Sequence, residues 1–134
     1  MVDFLLHPRL EADTIVIADR PLSRVLLMND SRYRWLVLVP RVAAAVELFD
    51  LSDADRIALV EEIAQAAQAL QQLTGCAKIN IGALGNLVPQ LHVHVVARNP
   101  GDPAWPGPVW GHSPAIAYDP ETRAAFMRDF VNAG

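Results

Sequence analysis

Apolar and polar positions along this chain follow two periods, and the switches between them mark out its elements. Thr14 to Ala18 is a β-branched run that Asp19-Arg20-Pro21 punctuates as a turn, and Val25 to Met28 resumes the strand pattern until Asn29-Asp30-Ser31 breaks it. Trp35 to Val39 is a continuous apolar strand stopped by Pro40, so the first third of the chain predicts an antiparallel meander. The period then changes. Ser52 stands where a helix cap belongs, Asp53 and Asp55 suit the positive end of the helix dipole, and Leu59, Val60, Ile63, Ala67, Leu70 and Leu73 recur at helical spacing until Gly75.

Strand pattern returns at Ala77 to Ile81. A glycine-punctuated connection from Gly82 to Pro89 leads to a second β-branched run, Gln90 to Val96, which is expected to pair with its predecessor. Beyond Arg98, the stretch Asn-Pro-Gly-Asp-Pro-Ala-Trp-Pro-Gly-Pro-Val-Trp-Gly is too rich in proline and glycine for regular structure. Asp119-Pro120-Glu121 is a helix start, and Ala124 to Val131 supports a final amphipathic helix. Together these elements predict an α+β fold, an antiparallel sheet of about five strands with one long helix packed on it and a short C-terminal helix. Residues 1–134 are read as one domain.

Composition narrows the function. The chain is 52% hydrophobic and 19% charged with a net charge of −4, which argues for a packed domain and against a general nucleic-acid-binding surface. Cys76 is the single cysteine, so no internal disulfide forms, and its expected role is a small buried side chain. No apolar run is long enough to span a membrane. The opening Met-Val-Asp-Phe-Leu-Leu-His-Pro has an acid where a leader would be basic, which makes the cytoplasm the default expectation.

The chemistry concentrates in Gln-Leu-His-Val-His-Val-Val. On a strand Gln90, His92 and His94 project to one face, and Leu91, Val93 and Val95 to the other. Two imidazoles beside an amide supply a nucleophile and a neighbouring proton donor or anion contact. The same pair also suits metal ligation, although zinc needs three or four ligands and only Ala97, Arg98 and Asn99 follow nearby.

This run resembles the signature of the histidine triad superfamily, His-φ-His-φ-His-φ-φ with φ apolar, in every position except the first, where Gln90 stands. Asn80 and the connection Gly85-Asn86-Leu87-Val88-Pro89 are similar to the family's asparagine and glycine-containing phosphate loop, and Met28-Asn29-Asp30 to its ribose-holding strand end. Trp35 to Pro40 resembles its apolar strand ending in proline.

The resemblance implies a nucleotide hydrolase or nucleotidyl transferase acting at the α-phosphate of a small nucleotide, such as a dinucleoside polyphosphate (diadenosine polyphosphate) or a nucleoside phosphoramidate. His92 would be the nucleophile that forms a covalent nucleotidyl-histidine, its tautomer fixed by a backbone carbonyl. His94 would contact a phosphate or leaving-group oxygen, as a protonated ring that offsets developing charge. Asp30 and Asn29 would accept from ribose hydroxyls, and backbone N–H groups of Gly85, Asn86 and Leu87 would hold phosphate. A homodimer is implied as well. No cofactor is required, though a divalent cation can accompany a polyphosphate.

The departures from the family pattern each remove a polar group. Gln90 cannot relay a proton, Leu87 stands where a hydroxyl often does, and Trp35 replaces an additional histidine of several relatives. Two alternatives therefore stand beside the enzyme: a nucleotide-binding module with weak or lost catalysis, and a metal-dependent enzyme using His92 and His94 as ligands. Arg98 reads equally as a phosphate contact or a surface ion-pair partner. Trp105 and Trp110 read as pocket walls or as loop anchors, with His112 having no stronger claim, and Arg32 and Arg34 as solubilising. His7 is expected to be exposed.

Overall fold

The computed structural model describes residues 3–133, so Met1 and Val2 of the stretch read against a leader lie outside it. Helix α1 (Pro8–Asp13) leads into strands β1 (Thr14–Asp19), β2 (Ser23–Met28) and β3 (Arg34–Pro40). A 3₁₀ turn (Leu48–Asp50), the long helix α2 (Asp53–Thr74), strands β4 (Lys78–Gly82) and β5 (Val93–Arg98) and helix α3 (Pro120–Ala133) follow. All strand pairs are antiparallel, in the order β1-β2-β3-β5-β4. The α+β fold expected from the pattern is the one observed.

Strand alternation sorts the side chains into two cores. Val25, Leu27, Leu36, Leu38, Val95 and Ala97 point to the face covered by α2 and α3, where they pack on Ala66, Ala69, Leu70, Phe126 and Phe130. A leucine as fully buried as Leu36 or Leu70 contributes about 2 kcal/mol of transfer free energy. Ser52 caps α2 by accepting from the Asp55 N–H at 3.1 Å, and Gly75 closes it through a bond to the Gln71 carbonyl at 2.8 Å. Glu62 ties the helix to the β1–β2 turn by accepting the N–H groups of Leu22 and Ser23, both at 2.9 Å.

The opposite face has no long helix. Leu26, Trp35, Val37, Val39 and Val96 are covered there by the N-terminal segment, through Phe4, Leu6 and Leu10, and by the proline-rich loop, through Ala104, Val109 and Trp110. That face also carries His94.

Three local expectations need correction. Helix α1 and the 3₁₀ turn are too short to leave a periodic signal, and both went unpredicted. His7 is half-buried rather than exposed, because its Nδ1 caps α1 by accepting the Arg9 N–H at 3.1 Å. The histidine strand starts at Val93 instead of Gln90. Strand β4 ends where Gly82 pairs with His94, and the Leu91 N–H is drawn away to the Ala45 carbonyl at 3.0 Å.

Candidate active site

His92 and His94 sit at the mouth of β5 with ring centroids 5.0 Å apart, and each is almost buried. Each ring has one nitrogen committed to the protein. The His92 Nδ1–H donates to the Gln90 carbonyl at 2.7 Å, which leaves Nε2 as the free lone pair. The Trp35 Nε1–H donates to His94 Nδ1 at 2.9 Å, so neutral His94 carries its proton on Nε2. The two tautomers are therefore complementary, with a nucleophilic nitrogen on one ring and a hydrogen-bond donor on its neighbour.

His94 is also held neutral. Burial, reinforced by repulsion between the two neighbouring imidazoles whenever both would be charged, depresses its pKa from 6.5 to about 3. In the free protein the ring is thus a neutral N–H donor, where a protonated ring was expected to act, because burial disfavours the imidazolium.

The rings open onto a cleft of about 530 Å³ whose walls include Met28, Trp35, Gly85, Asn86, Leu87, Val88 and Trp110. Arg9 and Asp13 of α1, 3.6 Å apart, are the only Lys, Arg, Asp or Glu side chains among its lining residues. A second pocket of about 310 Å³ meets the first at His92, Gly85 and Leu84, and is bounded by Val46, Glu47, Leu48, Phe49, Pro89 and Gln90. Gly85 holds a positive φ of 76°, which turns the connection around the mouth of both spaces. Trp110 reaches His94, ring centroids 5.4 Å apart, by lying over Gly82, where an added Cβ would come within 2.9 Å of the indole.

Of the residues singled out in the sequence, His92, His94, Gly85, Asn86 and Leu87 come together around the cleft, and Gln90 borders the second pocket. Met28, Trp35 and Trp110 line the cleft as well, whereas Asn29, Asp30, Asn80, Arg98 and Trp105 line neither space. Both oxygens of Asp30 are taken by Arg32, at 2.9 and 2.8 Å. Burial of this carboxyl opposes ionisation, but the Arg32 bonds outweigh it and its pKa stays lowered. Asn29 accepts the Tyr118 N–H at 3.0 Å, so residues 29–32 fasten the 113–118 segment instead of offering free acceptors.

Arg98 is neither a surface ion-pair partner nor a free phosphate contact. Fully buried, it donates to Asp102 at 2.8 and 3.0 Å, to Asn80 Oδ1 at 2.8 Å and to the Gly107 carbonyl at 2.8 Å, and its guanidinium lies against the Trp105 ring. This set consumes Asn80, Arg98 and Trp105 in building the proline-rich loop and leaves Trp110 as the loop tryptophan that joins Trp35 at the site. Asp102, Arg9 and Asp13 were missed, while of the two tryptophans read as walls or anchors Trp110 lines the cleft. The N-P-G-D turn was the available signal for Asp102, whereas nothing in the sequence marks α1 as a pocket wall. Cys76 is a small buried side chain, as expected. Among the described residues no group of three or more His, Cys, Asp or Glu is arranged to hold a metal, and no helix is long and apolar enough to cross a membrane.

An open five-stranded antiparallel sheet with paired histidines at the start of its fourth strand in sheet order defines a histidine triad fold, and the family model described as the HIT domain matches residues 9–101. The chain belongs to this family. It is similar to a histidine triad protein of Bradyrhizobium japonicum, with 48% identity, a TM-score of 0.97 and 98% of each chain covered. Histidine triad proteins of Sinorhizobium meliloti 1021 (46% identity, TM-score 0.96, 98% of this chain and 97% of that one) and Marinobacter aquaeolei VT8 (42%, 0.96, 98% and 96%) are similarly close. No curated protein sequence matches the chain. Family membership suggests a nucleotide-binding, hydrolase or transferase role.

Proposed function

We propose that the chain is a nucleotide hydrolase or nucleotidyl transferase that works through a covalent nucleotidyl-histidine at His92. The observation that carries this reading is the pair of complementary tautomers. The Nε2 lone pair of His92 attacks the α-phosphorus, the P–N bond forms, and the bond to the leaving group breaks. The Nδ1–H stays on the Gln90 carbonyl and shares the positive charge that develops on the ring. His94 Nε2–H donates to a non-bridging phosphate oxygen, where a neutral donor serves without having to be charged. Backbone N–H groups of Gly85 to Leu87, which line the cleft, would supply further donors. Water or another acceptor then attacks phosphorus, loses its proton to solvent or leaving group, and returns the free imidazole.

Charge favours one substrate class. The cleft offers the single Arg9–Asp13 pair, and the adjoining pocket adds Glu47 amid Leu48, Phe49 and Leu84. A nucleoside monophosphate joined to an uncharged amine, a phosphoramidate, suits this balance better than a dinucleoside polyphosphate, which would have to bring its own divalent cation. A homodimer accompanies the reading, supported by the unpaired edge of β4 and the exposed Ile57, Val60 and Ile81. The deciding experiment offers α-labelled adenosine and guanosine phosphoramidates and dinucleoside polyphosphates, followed by mass spectrometry under conditions that preserve acid-sensitive adducts. Label belongs on the peptide containing His92 and disappears in His92→Ala. Binding without any label, at every substrate, would leave a nucleotide-binding module instead.

A further inference from the structure

Gln90, the one departure inside the histidine signature, has its side-chain amide engaged by main chain and not by either imidazole. Its side-chain amide spans the N-terminal segment, with Nε2 donating to the Leu5 carbonyl at 2.8 Å and Oε1 accepting the His7 N–H at 2.8 Å. This copies one rung of a β-ladder with a side chain. The segment it grips is the start of α1, since His7 is the residue whose ring caps that helix. Helix α1 in turn delivers Arg9, Leu10 and Asp13 to the cleft, including its only charged pair. Phe4 and Leu6 add apolar contact with the core of the site face, and among the described residues Gln90 is the side chain that hydrogen-bonds the main chain on both sides of its entry.

We infer that Gln90 is a positioning residue, a latch that holds the α1 arm as the charged wall of the nucleotide cleft. Residue 90 then acts twice, its carbonyl setting the His92 tautomer and its side chain setting the wall opposite. A histidine, as in the family signature, cannot replace it. The imidazole's N–H and lone pair diverge from opposite edges of the ring, whereas an amide presents donor and acceptor side by side to one stretch of main chain. Glutamine at this position thus goes with a docked N-terminal arm, and the loss of a titratable group is the secondary consequence. The functional part of this inference rests on the nucleotide reading above; the latch itself does not.

Hydrogen exchange and nucleotide affinity test the two parts separately, on the full chain with adenosine monophosphate as the probe. In Gln90→Ala and Gln90→His, exchange across residues 5–13 should accelerate, and the Kd for the probe should rise about tenfold, the effect of losing two neutral hydrogen bonds that organise a wall. Gln90→Glu, nearly isosteric, keeps the acceptor for His7 but sets an oxygen against the Leu5 carbonyl and should give the same direction of change. Leu5→Ala, which removes only an exposed side chain and keeps the carbonyl, should behave as wild type. Unchanged exchange over residues 5–13 in the Gln90 variants overturns the latch. Faster exchange with unchanged affinity overturns its role at the cleft. If the unmodified protein binds no nucleotide, the nucleotide reading and the cleft role fall together, while exchange alone still decides the latch.

Discussion

Trp35→Phe tests the central electrostatic claim, that a tryptophan sets the tautomer of His94. The substitution keeps an aromatic ring at a buried position while removing the Nε1–H that donates to His94 Nδ1 at 2.9 Å. A buried acceptor left without its donor costs about 1–3 kcal/mol, and the missing half of the indole adds a cavity contribution. For a domain of this size that lowers Tm by roughly 5–10 °C. The catalytic effect is separate. Without the indole donor, His94 is free to carry its proton on Nδ1 and turn a lone pair toward the phosphate, so a bias worth about 1 kcal/mol is lost and the chemical step slows by about tenfold. Removing an oxyanion donor altogether costs roughly 10²–10³-fold, which sets the upper bound. Two assays separate the effects: long-range proton–nitrogen correlation, which reads which ring nitrogen is protonated, and single-turnover formation of the His92 adduct. A variant that loses stability but keeps the Nε2–H tautomer and a rate within about twofold of wild type would refute the reasoning and make Trp35 a packing residue.

Stability should also depend on pH in a defined window. With the pKa of His94 depressed from 6.5 to about 3, the unfolded chain binds the extra proton between these values, so this contribution is complete above pH 6.5 and is lost as pH falls toward 3. The slope is about 1.4 kcal/mol per pH unit for this one group, and denaturant titrations of His94→Phe should show it reduced by that amount. A second expectation concerns the loop. Asp102→Ala leaves Arg98 buried beside an empty acceptor site and should cost about 3–5 kcal/mol with faster hydrogen exchange over residues 99–112, whereas the double replacement Arg98→Met, Asp102→Leu should recover much of it. Equal stability of the single and double variants would show that the ion pair does not organise the loop.

Elements with a long period were legible in the sequence, and those held by single hydrogen bonds were not. Twenty-two residues of α2 lie between a serine cap and a terminal glycine, and the β-branched runs mark four strands to within two residues and the histidine strand with its start three residues early. Helix α1 has six residues and one buried side chain, too few for any period, and the main chain at its cap is bonded 83 residues away at Gln90. The site divided in the same way. Spacing alone brought His92 beside His94, because strand geometry is local. The fate of Asp30 and Arg98 was decided by near neighbours, Arg32 two residues on and Asp102 four residues on, and by the distant groups these arginines also hold, Ser113 and Asn80.

The indole at residue 35, a departure from the histidine pattern, and the main-chain carbonyl of residue 90, which any residue there would supply, do complementary work. Each reactive ring needs its second nitrogen held in one protonation state, and a neighbouring histidine would do this only over part of the pH range, since its own proton comes and goes near neutrality. Here the partners are an indole N–H and a main-chain carbonyl, neither of which titrates in water's accessible range. With His94 already kept neutral by burial, the donor side of the site stays in one state from mildly acidic to alkaline pH. The cost is that no positively charged ring stands ready to protonate a departing group. A leaving group that takes its proton from solvent, or departs already protonated as an amine does from a protonated phosphoramidate nitrogen, needs no such ring, and the apolar pocket beside His92 is chemically suited to receive it.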